Sequence, residues 1–193
     1  MIDYITGTVT ELNPAFAVVE CNGIGYGINI SLNTFSALEK DTSCRILIHE
    51  AIREDAHLLY GFATADERDL FRQLITVSGV GAGTARMMLS SVTPSDLREA
   101  IISGNVAILK GVKGIGLKTA QRIIVDLKDK IGKHAVSGEI LAFSDNTARE
   151  EALSALVMLG FARSSVSKVI DNLLRENKKL QVEEIVRKAL KLL

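Results

Sequence analysis

The chain has 193 residues, of which 47% are hydrophobic, and its formal net charge at pH 7 is zero. Its two cysteines, Cys21 and Cys44, show no metal-ligand spacing, and no apolar run approaches the roughly 20 residues of a membrane-spanning helix. The first residues alternate instead of forming the basic and then apolar run of a signal peptide. We therefore expect a cytoplasmic protein with reduced thiols, no metal and no cofactor, which argues against secreted disulfide scaffolds and membrane proteins.

The charges are unevenly distributed along the chain, although they cancel overall. Residues 1–64 carry a net charge of −5, residues 65–133 carry +4 and residues 134–193 carry +1. A neutral protein argues at first against a nucleic-acid partner, but here the positive excess falls on one segment, where a polyanion would bind. The acidic excess of the first segment needs a separate explanation.

Residues 1–64 show short β-rich runs separated by turn residues such as Asn13-Pro14 and Asn22-Gly23. The predicted strands are residues 2–11, 16–20, 26–30, 45–48 and 57–62. Five short strands with glycine and asparagine turns favour a small barrel, and a five-stranded oligonucleotide-binding (OB-like) β-barrel is the best match. Other small barrels would show the same pattern.

Two adjacent carboxylates, Glu54 and Asp55, fall between the fourth and fifth predicted strands. Taken locally, they are typical of a solvated hairpin tip. A metal site is a weaker interpretation, because two ligands without further Asp, Glu or His nearby rarely hold a cation.

The most informative feature is an internal repeat, found in residues 78–89 (SGVGAGTARMML) and 113–124 (KGIGLKTAQRII). The two copies align at an offset of 35 residues, and the agreement extends upstream to Leu74 and Leu109. A repeat of this kind predicts one supersecondary unit used twice. The unit is a helix, a tight Gly-apolar-Gly corner and a second helix that starts at the second glycine.

The corner resembles the helix-hairpin-helix motif of proteins that bind DNA without sequence specificity. The free backbone N–H groups and the helix dipole at the start of the second helix favour a phosphate. A dinucleotide fingerprint is disfavoured, because neither copy has its third glycine, and no nucleotide-binding P-loop is present. The predicted DNA-binding residues of the two corners are Gly79, Val80, Gly81, Gly83, Thr84, Gly114, Ile115, Gly116 and Thr119.

The second copy carries basic residues just after its corner. Lys118 lies on the first turn of its second helix, and Arg122 lies one turn further on the same face. We predict that both contact the phosphate backbone, although a solvated basic helix face would show the same spacing. The first copy has Gly83 where the second has Lys118, so it must rely mainly on backbone amides.

The remaining segments predict a central helical domain at residues 65–132, a flexible linker at 133–146 and a three-helix bundle at 147–193. Thr147 and Glu150 have the spacing of a capping box, and Gly160 ends the first helix of the bundle. The Leu159-Gly160-Phe161 corner resembles that of ubiquitin-associated-type (UBA-like) bundles, which bind protein partners through apolar patches. Leu156, Leu159, Gly160 and Phe161 are the predicted partner-binding residues, but Phe161 equally suits closure of the core.

The order of these segments resembles the RuvA family, the DNA-binding subunits of the bacterial Holliday-junction branch-migration complex. The resemblance covers nearly the whole chain. Its most specific parts are residues 53–62 (REDAHLLYGF), 79–81 (GVG) and 114–120 (GIGLKTA). It implies a multi-domain α+β fold with an OB-like barrel, tandem helix-hairpin-helix motifs and a UBA-like bundle.

The resemblance also implies a function. A homotetramer, or two tetramers, would hold an open four-way DNA junction, with the hairpins on the arms and Glu54 and Asp55 projecting as an acidic pin. The last bundle would recruit a hexameric ATP-driven motor, and a junction-resolving endonuclease is a further candidate partner. Two rivals remain at this point: a general DNA-repair adaptor, and a glycosylase-like enzyme using Asp126 or Asp129.

Overall fold

The computed structural model describes residues 1–139, 144–177 and 180–193. It divides into two compact units, Met1–His134 and Ala135–Leu193, which are considered separately. Among the described residues, no helix combines the length and the apolar character that crossing a bilayer requires.

The first unit begins with a closed five-stranded barrel, which confirms the predicted fold of this segment. Its strands run in the order β1-β2-β3-β5-β4 around the barrel, and only the β3–β5 pair is parallel. The strands are β1 (Tyr4–Asn13), β2 (Phe16–Cys21), β3 (Ile24–Ile30), β4 (Ser43–Ile52) and β5 (His57–Phe62).

Alternation along the strands fills the barrel with aliphatic side chains. Inward-facing residues recur at every second position, as the pleat of a strand requires. The buried residues of this core are Ile5, Val9, Ala17, Val19, Ile28, Ile30, Ile46, Ile48 and Leu59. Cys21 and Cys44 are free thiols at its half-buried margin.

A short helix between β3 and β4, α1 (Leu32–Ala37), was not predicted from the sequence. The Ser31 side chain caps it by accepting a hydrogen bond from the Thr34 amide at 3.0 Å. The helix spans six residues and only Thr34 is buried, so it has no apolar periodicity to reveal it.

Five helices complete the first unit and form the predicted paired hairpins. Thr93 caps the third of them, with Pro94 in its first turn, as the sequence indicates. The helices are α2 (Ala65–Leu74), α3 (Ala82–Ser91), α4 (Pro94–Ser103), α5 (Val106–Lys110) and α6 (Leu117–Glu139).

The barrel and these helices share a core around Phe71 of α2. Its ring lies 4.9 Å from that of Phe62 and 5.3 Å from those of Tyr60 and His49, all three of which come from barrel strands. Tyr60 and Phe62 belong to the helical core and not to the barrel core. The aromatic contacts therefore join the two segments into one compact unit.

His49, in this shared core, makes the stability of the unit depend on pH. Burial lowers its pKa, and Arg72 and Arg68 lower it further, against the opposing effect of Glu50. The neutral ring is therefore favoured, so its contribution to stability is full above the ordinary pKa of about 6.5 and is lost as the pH falls through and below that value. We expect His49→Gln to reduce the loss of unfolding free energy between about pH 7.5 and 5.5.

The measurement is urea unfolding of both proteins at the two pH values. Burial raises the pKa of Glu67 on α2, which gives the opposite dependence on pH, but this contribution is present in both proteins. An identical loss of stability in the variant and the wild type would remove His49 from the explanation.

The segment predicted as a linker, residues 133–146, is partly helical. Helix α6 continues to Glu139, beyond the predicted end near Ile131, and α7 begins at Ser144, three residues before the predicted cap at Thr147. Residues 140–143 of the predicted linker lie outside the described residues. No proline occupies residues 133–139, and the glycine there, Gly138, disfavours a helix by only about 1 kcal/mol relative to alanine, so the helix can continue.

The second unit is the predicted three-helix bundle, with helices α7 (Ser144–Met158), α8 (Arg163–Glu176) and α9 (Val182–Ala189). Its core has buried residues from each helix and one, Leu180, from the segment before α9: Ala152, Leu153, Leu156, Val166, Ile170, Leu173, Leu180, Ile185 and Ala189. An ion pair of 2.8 Å between Arg149 and Asp171 joins α7 to α8 at the surface.

Candidate nucleic-acid interface

The two glycine corners have the same backbone conformation. Gly79 and Gly114 both have a φ of 92°, which strongly favours glycine. The following amide closes the turn in both copies, from Val80 to Val77 at 3.0 Å and from Ile115 to Val112 at 3.1 Å. The sequence repeat is therefore a structural repeat.

The apolar residue at the centre of each corner points into the protein. Val80 and Ile115 are 4% and 5% exposed and belong to the helical core. Behind them, Ala85 and Ala120 are fully buried, so the helices approach closely. Their side chains therefore hold the corner in place, and the predicted DNA contact at Val80 and Ile115 is restricted to the backbone.

Neither the packing nor the backbone conformation of the protein requires glycine at the second position of each corner. A Cβ atom added to Gly81 or Gly116 would meet nothing within 4 Å, and neither residue has a positive φ. The same is true of Gly83, on the first turn of α3. All three are exposed. Their lack of a side chain leaves room for an outside partner to approach the backbone.

The two corners lie next to each other on the first unit. The position that a Cβ on Gly79 would take is 4.0 Å from the hydroxyl oxygen of Thr119, in the other copy. Thr84 and Thr119 are half-buried, whereas Gly79 and Gly114 are exposed. One extended anion can therefore reach both corners.

Each corner also presents the start of a helix. Gly81 is the N-cap of α3 and offers no side-chain cap, and the first intrahelical bonds run from Ala85 to Gly81 and from Ala120 to Gly116, both at 2.9 Å. The amides before Ala85 and Ala120 have no acceptor within the helix. Together with the positive end of the helix dipole, they favour a phosphate oxygen.

The corners differ in charge. Lys113, Lys118 and Arg122 surround the second corner and are exposed. The equivalent positions of the first corner, 35 residues earlier, are Ser78, Gly83 and Met87. The second corner is therefore basic, whereas the first is neutral.

Two arginines near the corners already have partners. Arg122 lies 3.7 Å from Asp126 on the exposed side of α6. Asp126, a candidate catalytic residue of a glycosylase-like enzyme, therefore takes part in an ion pair on the helix surface. Arg86, on α3, donates to the carbonyl oxygen of Ala15 at 2.7 Å and so holds the barrel. Among the described residues, Lys113 and Lys118 take part in no ion pair.

Glu54 and Asp55 form the tip of the β4–β5 hairpin, as predicted. The Arg53 amide donates to the Ala56 carbonyl at 2.8 Å, so Glu54 and Asp55 are the two central residues of the turn. Both are exposed. Among the described residues, neither takes part in an ion pair. The tip therefore carries two carboxylates that no ion pair holds, beside the exposed Arg53.

In the second unit, Gly160 ends α7 with a φ of 97°. The Phe161 amide donates to Leu156 at 3.2 Å and the Gly160 amide to Val157 at 3.0 Å, which is a Schellman motif. Leu159 is 61% exposed, and Phe161 packs against the core.

Leu156 is fully buried, which corrects its assignment as a partner contact. Met158, beside Leu159, is 85% exposed and was not among the residues predicted from the sequence. Its position off the apolar face of α7 was the available signal, because Met158 falls outside the spacing of the core residues.

Comparison with known proteins agrees with this architecture. Residues 1–61 match the family described as RuvA N terminal domain, residues 71–129 match the SAM-like helix-hairpin-helix tandem, and residues 147–193 match the RuvA C-terminal domain. The chain belongs to the RuvA family. The predicted resemblance and fold class are thus confirmed, and the three matched segments correspond to the barrel, the paired corners and the bundle.

RuvA relatives resemble the chain over almost its entire length. The relative from Bacteroides fragilis is 51% identical and that from Bacteroides thetaiotaomicron is 50% identical, each covering 99% of both chains. The relative from Porphyromonas gingivalis is 49% identical over the whole of both chains. All three are named Holliday junction branch migration complex subunit RuvA.

Proposed function

We propose that this protein binds four-way DNA junctions by their shape, without regard to base sequence, as the DNA-binding subunit of a branch-migration complex. The names of its relatives support this assignment. The observation that carries it is the pair of adjacent, exposed glycine corners with identical φ values, whose free amides suit sugar-phosphate oxygens. Backbone contacts of this kind position a duplex but carry no sequence information.

The acidic tip supplies the preference for junctions. Glu54 and Asp55 repel the phosphates of any duplex that crosses the barrel tip, whereas an open junction leaves its centre clear of continuous duplex. Repulsion at the tip and attraction at the corners together select a shape that attraction alone would not.

The assembly follows the family pattern. In our proposal, four copies form a homotetramer on the junction, and a second tetramer can cover the opposite face. The protein itself is non-catalytic and cytoplasmic, and needs no cofactor. A hexameric ATPase motor binds the second unit through the exposed residues around Leu159 and Phe161, and a junction-resolving endonuclease is a further partner.

The test is fluorescence anisotropy with a synthetic four-way junction, a nicked duplex, a fork and a plain duplex of equal length. We expect the junction to bind most tightly, and mass measurement to show four or eight chains per junction. Equal affinity for the four DNAs would favour a general repair adaptor. Release of a base from damaged duplex would favour a glycosylase-like enzyme.

Lys118→Ala should reduce the salt dependence of junction binding. A lysine that neutralises one phosphate releases one counterion, so its removal should flatten the plot of log K against log salt by about 0.9 for each subunit on the junction, which is about 3.6 for a tetramer. Arg122→Ala should have a smaller effect, because Asp126 already lies 3.7 Å from Arg122. The measurement is a salt titration of junction affinity for each variant.

Lys168→Ala is the matched control, since Lys168 is an exposed lysine of the second unit. It should leave the slope unchanged. A slope that is unchanged in Lys118→Ala would show that Lys118 belongs to a solvated helix face.

A further inference from the structure

A buried carboxylate joins the barrel to the paired corners. Glu67, in the first turn of α2, is only 2% exposed. One of its oxygens accepts a hydrogen bond from the Ser31 hydroxyl and the other accepts one from the Thr34 hydroxyl at 2.7 Å. A glutamate side chain is rarely buried to this extent unless its carboxylate is paired with another polar group. Both of these hydroxyls belong to α1 or its cap.

The same two hydroxyls hold the start of α1 and the end of β5. Ser31 caps α1, and the Thr34 hydroxyl oxygen accepts from the Ala63 amide at 3.2 Å, directly after β5. Thr34 is fully buried. The carboxylate, the cap and the strand end therefore form one hydrogen-bonded group, in which loss of one member leaves others unpaired.

Helix α1 also contacts the helix that follows the first corner. The Asn33 side chain donates to the carbonyl of Leu89 and, at 3.3 Å, to that of Val92, at the end of α3. The Leu32 amide donates to the Ser90 hydroxyl at 3.1 Å. Thus α1 is bonded to α2, which precedes the first corner, and to α3, which follows it.

We propose that α1 is a strut that fixes the acidic tip of the barrel relative to the glycine corners, and that Glu67 is its positioning residue. This inference rests on the proposed function and deepens it. The barrel carries Glu54 and Asp55, and α2 and α3 carry the first corner. Junction preference requires both at a fixed separation, whereas binding of a plain duplex arm requires the corners alone.

The test is a double-mutant cycle between Glu67 and the acidic tip. Glu67→Gln keeps the size of the side chain but replaces one acceptor with a donor. We expect it to lower the ratio of junction to duplex affinity by about threefold or more, with little loss of duplex affinity. In a background of Glu54→Gln with Asp55→Asn, the same substitution should leave the ratio unchanged, because the tip no longer carries carboxylates that repel DNA phosphates.

The matched control is Asp69→Asn, an exposed carboxylate on the same helix, which changes the formal charge equally and should leave the ratio unchanged. If Glu67→Gln fails to fold, Asn33→Ala, which removes the bonds to α3, takes its place in the cycle. Thermal unfolding and anisotropy with plain duplex check that each variant is intact.

An equal effect of Glu67→Gln with and without the tip carboxylates would show a purely structural role and overturn the proposal. An unchanged ratio in a folded variant would overturn it as well. Failure of the proposed function is distinguishable from both, because the wild type would then show no junction preference at all.

Discussion

A Gly116→Asp variant is expected to fold as stably as the wild type and to lose DNA affinity by at least about tenfold. Gly116 lies before α6 and an added Cβ would meet nothing within 4 Å. Aspartate is a favoured residue at a helix N-cap, where its charge also suits the dipole. The same charge would stand where a phosphate must approach the corner. The measurement is anisotropy with junction and duplex DNA, beside thermal unfolding.

Gly116→Asn is the control for this variant, because it caps equally well without the charge. It should bind more tightly than Gly116→Asp and more weakly than the wild type. Gly114→Ala should behave in the opposite way and lose stability, since its φ of 92° strains any residue with a Cβ. If Gly116→Asp bound both DNAs like the wild type, the second corner would not be a phosphate site.

Neutralising the acidic tip, with Glu54→Gln and Asp55→Asn, is expected to raise affinity for plain duplex and to lower the junction preference on the order of tenfold. Two carboxylates per subunit would otherwise repel the phosphates of a duplex laid across the barrel. The change is confined to an exposed turn, so the free energy of unfolding should be unaffected. The measurement is the ratio of junction to duplex affinity in low salt, where charge effects are largest.

The pair Glu11→Gln and Glu20→Gln is the matched control, because both are exposed carboxylates of the same barrel. It changes the net charge equally and should leave the ratio close to that of the wild type. If the control raised duplex affinity as much as the tip variant, total charge would explain the effect and the position of Glu54 and Asp55 would not matter.

The repeat made much of the interface predictable from sequence. Gly79 and Gly114 align at the 35-residue offset and have the same positive φ. This backbone conformation of the turn is the reason that glycine is favoured at both positions. A local preference of this kind can be predicted from the amino-acid sequence alone. The closed barrel followed from five short strands, although pattern alone did not separate it from other small barrels.

The strut was not predictable, because its parts are distant in sequence. Glu67 follows the helical spacing of Leu70, Phe71 and Leu74, and a charged residue on that apolar face was the available signal. What makes it buried is its pairing with Ser31 and Thr34, more than 30 residues earlier. Local periodicity places Glu67 on the buried face of the helix, but it does not identify the tertiary partners.

The unequal charge of the two corners bears on how fast DNA can travel through the complex. To advance by one base pair, an arm must break and remake each phosphate contact, so the kinetic barrier grows with the number of charged contacts. At the three positions equivalent to the basic residues of the second corner, the first corner has Ser78, Gly83 and Met87, which are neutral. Charged contacts concentrated at one corner would slow release of the DNA arm while keeping the kinetic barrier to each one-base-pair step low.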